Sequence, residues 1–512
     1  MTVTAEALDS EVARPTVSSE RRRVALGVLL ALGSGGLANL AFPPFELWPL
    51  ILVAFVPMVV AQHRVMPARW SGLAVGLGVG AYFAGQLTPG LSFAGAGVAI
   101  VFQLLPLYLA IFVTALAWRS RAFQERTGYR WFLVSAPLAW VGIDALRSLA
   151  NEAFAGTFAN PVYALYDHPA LLQPVSVFGI WGLELLVLVG NWTVAMVVIA
   201  ALDRRAPARV GPTFDLRSTR RSVAVVVAAA GAWVLASVAM LKSPTPTVRV
   251  AAVQTGLKAR TRAERAARFQ RDIEQTRAAA RRGARLVVWN EGGLRFDPKR
   301  QHTAELRALT ASTNAYLVIG YRVHNTRGWR NEVTVLAPDG KFLGTYGKEH
   351  PGTFAGDYNV TKGLTPVYRT DFGPITTIIC YDLDFTDTAR RMAEGGARLI
   401  ATPSADVPSI GKVHFTHMVF RAIENRVSMV KADNEFDSVI IDPYGRVIRK
   451  VDTSKGGLQA TLVGSVPLGE GTSPWVSLGD WLGWLCLAGT AGLLSLAAVT
   501  RRRVKDGGRP PG

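Results

Sequence analysis

The chain has 512 residues, half of them hydrophobic and only 18% charged, and its mean hydropathy is positive, which excludes a disordered or fibrous chain and argues against a wholly water-soluble one. Lys and Arg number 56 against 37 Asp and Glu, a net charge of +19 that suits nucleic acid, an anionic membrane surface or topology-setting loops. With only two cysteines, Cys380 and Cys486, there is neither a disulfide framework nor a cysteine zinc cluster, so a cysteine of consequence acts through its own reactivity.

Taken in chain order, residues 1–22 are polar and read as a disordered cytoplasmic N-terminus. Apolar runs follow at 24–42, 47–61, 71–87, 94–118, 131–149, 175–201 and 223–241, and an eighth at 481–500. A helix that crosses a bilayer needs roughly 17–25 such residues, so 47–61 is short. The expected organisation is a membrane domain of seven spans over 23–242, a water-facing domain over 243–474, an eighth helix over 475–500 and a cytoplasmic tail over 501–512. Basic residues cluster at Arg21–Arg23, at Arg64 and Arg69, between Arg119 and Arg130, between Arg204 and Arg221, and at Arg501–Lys505. The alternate connections 43–46, 88–93 and 150–174 carry no Lys or Arg. That bias puts both termini in the cytoplasm and 243–474 outside. It also accounts for much of the positive charge, so nucleic acid is not an expected partner. Asp144 and Arg147, three apart in the fifth run, are expected to pair; Trp475, Trp481 and Trp484 read as interfacial anchors.

Beyond 243 the pattern changes to short β-branched runs alternating with helical stretches. Strands are predicted at 248–254, 286–289, 315–323, 332–337, 375–380, 398–402, 428–432 and 438–442, with amphipathic helices at 263–282 and 415–426. This alternation defines an α/β domain. Three residues follow or close strands: Glu291 after 286–290, Lys348 after 344–347, and Cys380 after 375–379. Strand ends in α/β layers are where ligands collect. A carboxylate, an ammonium and a thiol can together perform acyl transfer, as base, oxyanion partner and nucleophile. Taken singly, each has a plainer reading: a turn carboxylate before Gly292–Gly293, a surface lysine, a small buried hydrophobe. His414 and His417 stand three apart on a helix face with no third ligand evident, so no metal and no other cofactor is expected.

Trp289–Asn290–Glu291–Gly292, Tyr346–Gly347–Lys348–Glu349–His350 and Ile379–Cys380–Tyr381–Asp382 resemble the three signature segments of the nitrilase, or carbon–nitrogen hydrolase, superfamily. Val250–Gln254 resembles its opening strand and Asp442–Val447 its late hairpin. With a domain of this kind inserted before a last span, the chain is similar to the bacterial apolipoprotein N-acyltransferase family. Trp140–Arg147 and Phe178–Leu183 resemble that family's fifth-span and sixth-span segments, and the likeness extends over roughly 24–500.

The resemblance implies a multi-pass α-helical membrane bundle of about eight spans in the bacterial plasma membrane, carrying an extracytoplasmic αββα sandwich. It implies a triad of Glu291 as general base, Lys348 as oxyanion partner and Cys380 as nucleophile. The implied reaction moves a fatty acyl group from a phospholipid donor, through a Cys380 thioester, to the N-terminal amine of a diacylated apolipoprotein. Tyr381, Asp382, Asp357 and Asn434 are the implied supporting or substrate-binding residues. This chain departs from the family pattern at Asn290, usually Pro, and at Asp382, usually Glu. Asp357 is the candidate for the family's fourth carboxylate, one residue late. The family's Asn-Asp-Ala-Trp-Phe becomes residues 405–409, Ala-Asp-Val-Pro-Ser, without the aromatic lid, and its Asn-Thr-Gly-Ser becomes the stretch from Asn434 to Ser438. These departures suggest a diverged paralogue with intact thiol chemistry and an altered pocket. The alternatives are a membrane-tethered amidase that uses water as acceptor and a non-catalytic scaffold.

Overall fold

The structure, a computed structural model, describes residues 17–87, 96–149, 156–205, 212–243, 247–257, 259–351, 356–358, 363–407, 410–451 and 458–505. Residues 1–16 and 506–512, and the connections 88–93 and 150–155 used above to orient the chain, lie outside the described residues. Among the described residues, seven helical segments are long and apolar enough to cross a membrane, judged by length and composition. The bundle contains α1 (Val17–Leu40), α2 (Val56–Val60), α3 (Ser71–Leu87), α4 (Ala96–Arg126), α5 (Phe132–Leu149), the short α6 (Pro169–Leu172), α7 (Val175–Arg205) and α8 (Leu216–Met240). The short second run is not one helix. It is a 3-10 turn at Trp48–Leu52, then α2, then a π turn at Ala61–Val65, and prolines 49 and 57 stand where the first two pieces begin, as proline's missing N–H dictates. α3, at 17 residues, rises about 26 Å, a little under the hydrocarbon thickness of about 30 Å. Gly72, Gly76 and Gly80 let it lie directly against the α4 backbone at Thr114 and Ala110, the small-residue packing that membrane helices favour. Exposed Leu, Ile and Val side chains along α1, α4 and α8 form the outer surface of the bundle.

The water-facing part contains thirteen strands in two sheets. In chain order the first carries β1 (Thr247–Gln254), β2 (Leu286–Val288), β3 (Tyr316–Asn325), β4 (Gly328–Leu336), β5 (Phe342–Gly347) and β6 (Asp357–Tyr358). The second carries β7 (Tyr368–Thr370), β8 (Gly373–Thr377), β9 (Leu399–Pro403), β10 (Ser428–Ala432), β11 (Val439–Ile441) and β12 (Val447–Lys450). The last strand, β13 (Ala460–Pro467), returns to the first sheet beside β1. The orders are β13-β1-β2-β3-β4-β5, with β6 added on β4, and β12-β11-β10-β9-β8-β7. Helices α9 (Arg262–Arg281) and α10 (Thr303–Thr313) cover the first sheet; α11 (Thr386–Glu394) and α12 (His414–Asn425) belong to the second. α9 starts at Thr261, whose hydroxyl accepts from the Glu264 amide at 3.2 Å while the Glu264 carboxylate accepts from the Thr261 amide at 2.7 Å, a reciprocal cap.

Strand periodicity explains the layering. Val250, Ala252, Leu286, Val288 and Val318 point into the core shared with the second sheet. Their neighbours Ala251, Val253, Val287, Trp289 and Leu317 pack with Phe269 and Ile273 of α9 and Leu306 of α10. Alternate residues of one strand thus fill two apolar layers, giving the αββα sandwich.

The sandwich is seated on the bundle. α12 reads as amphipathic in sequence, yet all twelve of its residues are buried, because α7 and Tyr163 cover its polar side. At Gly179 the backbone of α7 breaks, with φ 64° and ψ −177°, and a Cβ there would strike the Trp475 ring. The break frees the Ile180 amide, which donates to Glu424 Oε1 of α12 at 3.0 Å. Arg426 donates to Gln173 Oε1 at 2.6 Å and Ser176 Oγ at 2.9 Å. Trp475, expected at the membrane surface, begins the short α13 (Pro474–Leu478) and is fully buried in this junction. The chain ends in α14 (Trp481–Lys505), which packs on α5. Asp144 pairs with Arg147 at 3.2 Å as expected.

Candidate active site

Glu291 follows β2 and is fixed from both sheets, its amide donating to the Ser404 carbonyl after β9 at 3.2 Å. Its Oε1 receives Lys348 Nζ at 2.9 Å and Asn331 Nδ2 at 2.6 Å, with Arg322 3.5 Å away. Lys348 leaves the end of β5, and its amide donates to the Asn331 carbonyl at 3.1 Å. Asp357, in β6, accepts from Arg322 at 2.6 Å and Asn331 at 3.1 Å. Glu291, Lys348 and Asp357 are therefore gathered in one buried cluster, bridged by Asn331. Arg322 and Asn331 carry no mark in the sequence. They are direct partners across the β3–β4 hairpin, so registering that hairpin about Gly328 would have placed both on one face.

Cys380 does not close a strand. β8 stops at Thr377 and Cys380 opens a 3-10 turn, Cys380–Asp384, because the apolar pair Ile378–Ile379 continues the strand pattern after the ladder has ended. Its φ is 44°, the left-handed region that costs a non-glycine residue about 1–2 kcal/mol and recurs where a fold holds a reactive group. Asp382 anchors this turn, accepting from Tyr346 Oη at 2.7 Å, the Ile379 amide at 2.8 Å and the His350 amide at 2.9 Å. Burial raises it to about 6. Tyr381 lies half-buried and edge-on to Phe385 at 5.2 Å, and Phe385 stacks on the His350 ring. Asn434 stands elsewhere: its contacts are with Thr255 and Gly256 after β1.

A second cluster, also missed in sequence, lies on the other side of the thiol. Asp406 Oδ1 is 3.7 Å from Cys380 Sγ and accepts from Ser404 Oγ and His414 Nδ1, each at 2.7 Å. Its Oδ2 accepts from Lys431 Nζ at 2.7 Å, and Lys431 also reaches Asp433 at 3.1 Å. Only the altered stretch 405–409 hinted at these residues; positions 408 and 409 lie outside the described residues.

Electrostatics fix the resting protons. Burial pushes Glu291 up, but the Lys348 and Arg322 charges and the Asn331 hydrogen bond outweigh it and bring the carboxyl down to about 2. Burial lowers Lys348, yet Glu291 and the nearby Cys380 hold it above the usual lysine value. Burial, reinforced by the charges of Glu291 and Asp406 against Lys348, lifts the Cys380 thiol well above its ordinary value. Despite burial, His414 and Lys431 keep Asp406 far below the usual carboxylate range, and Asp406 and Asp384 raise His414. At rest the set is carboxylate, ammonium and neutral thiol.

Two sheets enclosing a buried Glu–Lys pair beside a cysteine, on a membrane bundle, define a membrane-bound protein of the carbon–nitrogen hydrolase class, and residues 249–472 match the family model described as carbon–nitrogen hydrolase. Residues 34–193 match the apolipoprotein N-acyltransferase N-terminal domain. The chain is 27% identical over 516 residues to the apolipoprotein N-acyltransferase of Geobacter metallireducens, covering 92% of this chain and 95% of that protein. To the apolipoprotein N-acyltransferase of Azotobacter vinelandii it is 29% identical over 529 residues, covering 94% and 96%. Similar solved structures include an amidase from Nesterenkonia sp. (20% identity, 45% of this chain and 94% of that one, TM-score 0.37) and Saccharomyces cerevisiae Nit3 of the nitrilase superfamily (20%, 44% and 93%, TM-score 0.37). Over nearly its whole length the chain is similar to apolipoprotein N-acyltransferases, and together with the carbon–nitrogen hydrolase match this supports a membrane N-acyltransferase.

Proposed function

We propose that the protein transfers a fatty acyl chain from a membrane phospholipid to the α-amine of a diacylated lipoprotein cysteine, through a thioester on Cys380. The observation that carries this reading is the buried Glu291–Lys348 pair at 2.9 Å acting electrostatically on a thiol held in a strained turn. In the first half-reaction Glu291 takes the Cys380 proton and the sulfur attacks the ester carbonyl of the donor. Lys348 stabilises the tetrahedral oxyanion. Collapse breaks the ester C–O bond, and the lysophospholipid alkoxide leaves with the proton from Glu291. In the second half the acceptor amine attacks the thioester, Glu291 receives the amine proton, and the sulfur departs to become the thiol again. With the resting thiol raised and Glu291 lowered, proton transfer is uphill until a bound carbonyl consumes the thiolate, which limits idle reactivity toward water and other electrophiles.

Asp357 and Asn331 position the base by holding Arg322 and Glu291, and Asp382 positions the nucleophile's turn. Tyr381 borders the acyl chain, whereas Asn434 has a place only in the acceptor region. The basic flanks of the spans favour both termini in the cytoplasm and the catalytic domain on the extracytoplasmic side, where donor and acceptor lipids share a leaflet. The test is a mass spectrum of a diacylated lipopeptide after incubation with phospholipid and purified protein, beside a Cys380→Ala control. One added acyl mass on the α-amine, absent in the control, supports the reading. Free fatty acid released without any amine acceptor would replace transfer by hydrolysis.

A further inference from the structure

Behind the active-site cysteine, on the membrane side of α12, Asp384 Oδ1, His414 Nε2 and His417 Nδ1 lie within 4.8 Å of one another. All three side chains are almost wholly buried, and none of the three atoms makes a hydrogen bond. His414 Nε2 is 3.6 Å from Asp384 Oδ1 and His417 Nδ1 touches the same oxygen. Two ring nitrogens thus converge on one carboxylate oxygen. One cation shared among them would satisfy all three.

The surroundings are those of a ligand set. The other ring nitrogen of His414 is bonded to Asp406 Oδ1 at 2.7 Å, the carboxylate support that fixes the tautomer of a metal-binding histidine. The His417 ring is clamped flat on Tyr163, centroids 4.0 Å apart at 15°. Asp384 is held through its carbonyl, which accepts from the Thr157 amide at 2.7 Å and the Thr157 hydroxyl at 2.8 Å. A cation would have to displace the proton that Asp406 and Asp384 favour on His414.

We propose that Asp384, His414 and His417 form a binding site for a divalent cation of the Zn²⁺ class, joining the nucleophile's turn to α12. Two imidazoles and one carboxylate are the donors such ions select, at about 2.0–2.2 Å. The third ligand invisible in the sequence is Asp384, which the 3-10 turn swings beneath α12.

The proposal stands apart from the acyl-transfer reading and is tested without an activity assay. Full-length protein in detergent is loaded with Zn²⁺ or Co²⁺ alone and desalted, and its metal is quantified by mass spectrometry. One equivalent is expected to stay with wild type and with Cys380→Ala, whereas Asp384→Asn and His417→Met bind at least tenfold more weakly. Wild type retaining no more metal than those variants overturns the site. Loss of metal in Cys380→Ala also overturns it, by moving the cation to Cys380, Asp406 and His414, the other convergent group among the described residues. Should the substituted chains fail to fold, the wild-type Co²⁺ spectrum decides: d–d bands without sulfur-to-cobalt charge transfer support the site, and a sulfur band refutes it.

Discussion

Cys380 sits between two carboxylates in opposite settings. Glu291, on the side of the first sheet, faces Lys348, Asn331 and Arg322, and the arginine is partly open to solvent. Asp406, on the side of the second sheet, is sealed among Ser404, His414 and Lys431, with both partners in its ion pair wholly buried. Both stay ionised, but Glu291 keeps a partner, Arg322, that reaches solvent, whereas the Asp406–Lys431 pair does not. The difference teaches that proximity to a nucleophile does not make a base. A carboxylate locked by a buried ammonium and an imidazole serves as a fixed charge, and one whose partners include a partly exposed guanidinium can trade a proton.

That contrast can be tested from the largest effect downward. Cys380→Ala should abolish the hydroxylamine-sensitive acyl adduct, scored by mass spectrometry. Glu291→Gln should show chiefly in rate, slowing adduct formation by about 10²–10⁴-fold. Asp406→Ala should do the reverse in kind, lowering stability by about 3–5 kcal/mol because Lys431 loses a buried partner, read as a drop in the thermal midpoint in detergent. If Asp406→Asn melts like wild type yet acylates as slowly as Glu291→Gln, the contrast collapses and Asp406 acts on the thiol directly.

A subtler consequence concerns thiol reactivity. Only the thiolate is alkylated, and the Cys380 thiol holds its proton more tightly than a free cysteine does. Alkylation of resting enzyme by iodoacetamide at about pH 7.5 should therefore be slower than that of a free cysteine by about tenfold or more. Glu291→Gln should speed it, since it deletes an anion and leaves the Lys348 charge. The smallest effect is on the pH profile of stability. Glu291 lies near 2 when folded against an ordinary 4.5, so its contribution is complete above about 4.5 and is lost as pH falls toward 2. Glu291→Gln should flatten that part of the curve of melting temperature against pH.

Much of the architecture was legible because it rests on periodicity. β10 ends where its apolar run ends, and the apolar runs of the bundle reappear as helices, with the proline-punctuated second run broken as its length warned. The failures are those of short-range reading. Ile378 and Ile379 look like strand but lie past the end of β8, where the Ile378 amide makes a last bond to the Ala401 carbonyl. β7 and β13 are weak patterns that exist through their partners, and α12 shows a polar face that is buried by α7. Within the site, Glu291, Lys348 and Cys380 each had an unremarkable local reading, and the resemblance joined them. Arg322, Asn331, Asp406 and Lys431 carry no local mark and become neighbours only through hairpin register and the meeting of two sheets.

The broken helix at Gly179 has a practical meaning. Its free amide is capped by Glu424, a side chain some 240 positions along the chain, so each half of the molecule completes the backbone of the other. A truncation that retains only the sandwich would uncover Arg421, Glu424 and Arg426 together, turning a solvent-shielded seam into a charged and greasy scar. Anyone seeking a soluble version must redesign that seam first. By the same logic, a disturbance of lipid packing around α7 has a short route along α12, from Glu424 to His414, to the carboxylate beside the reacting thiol.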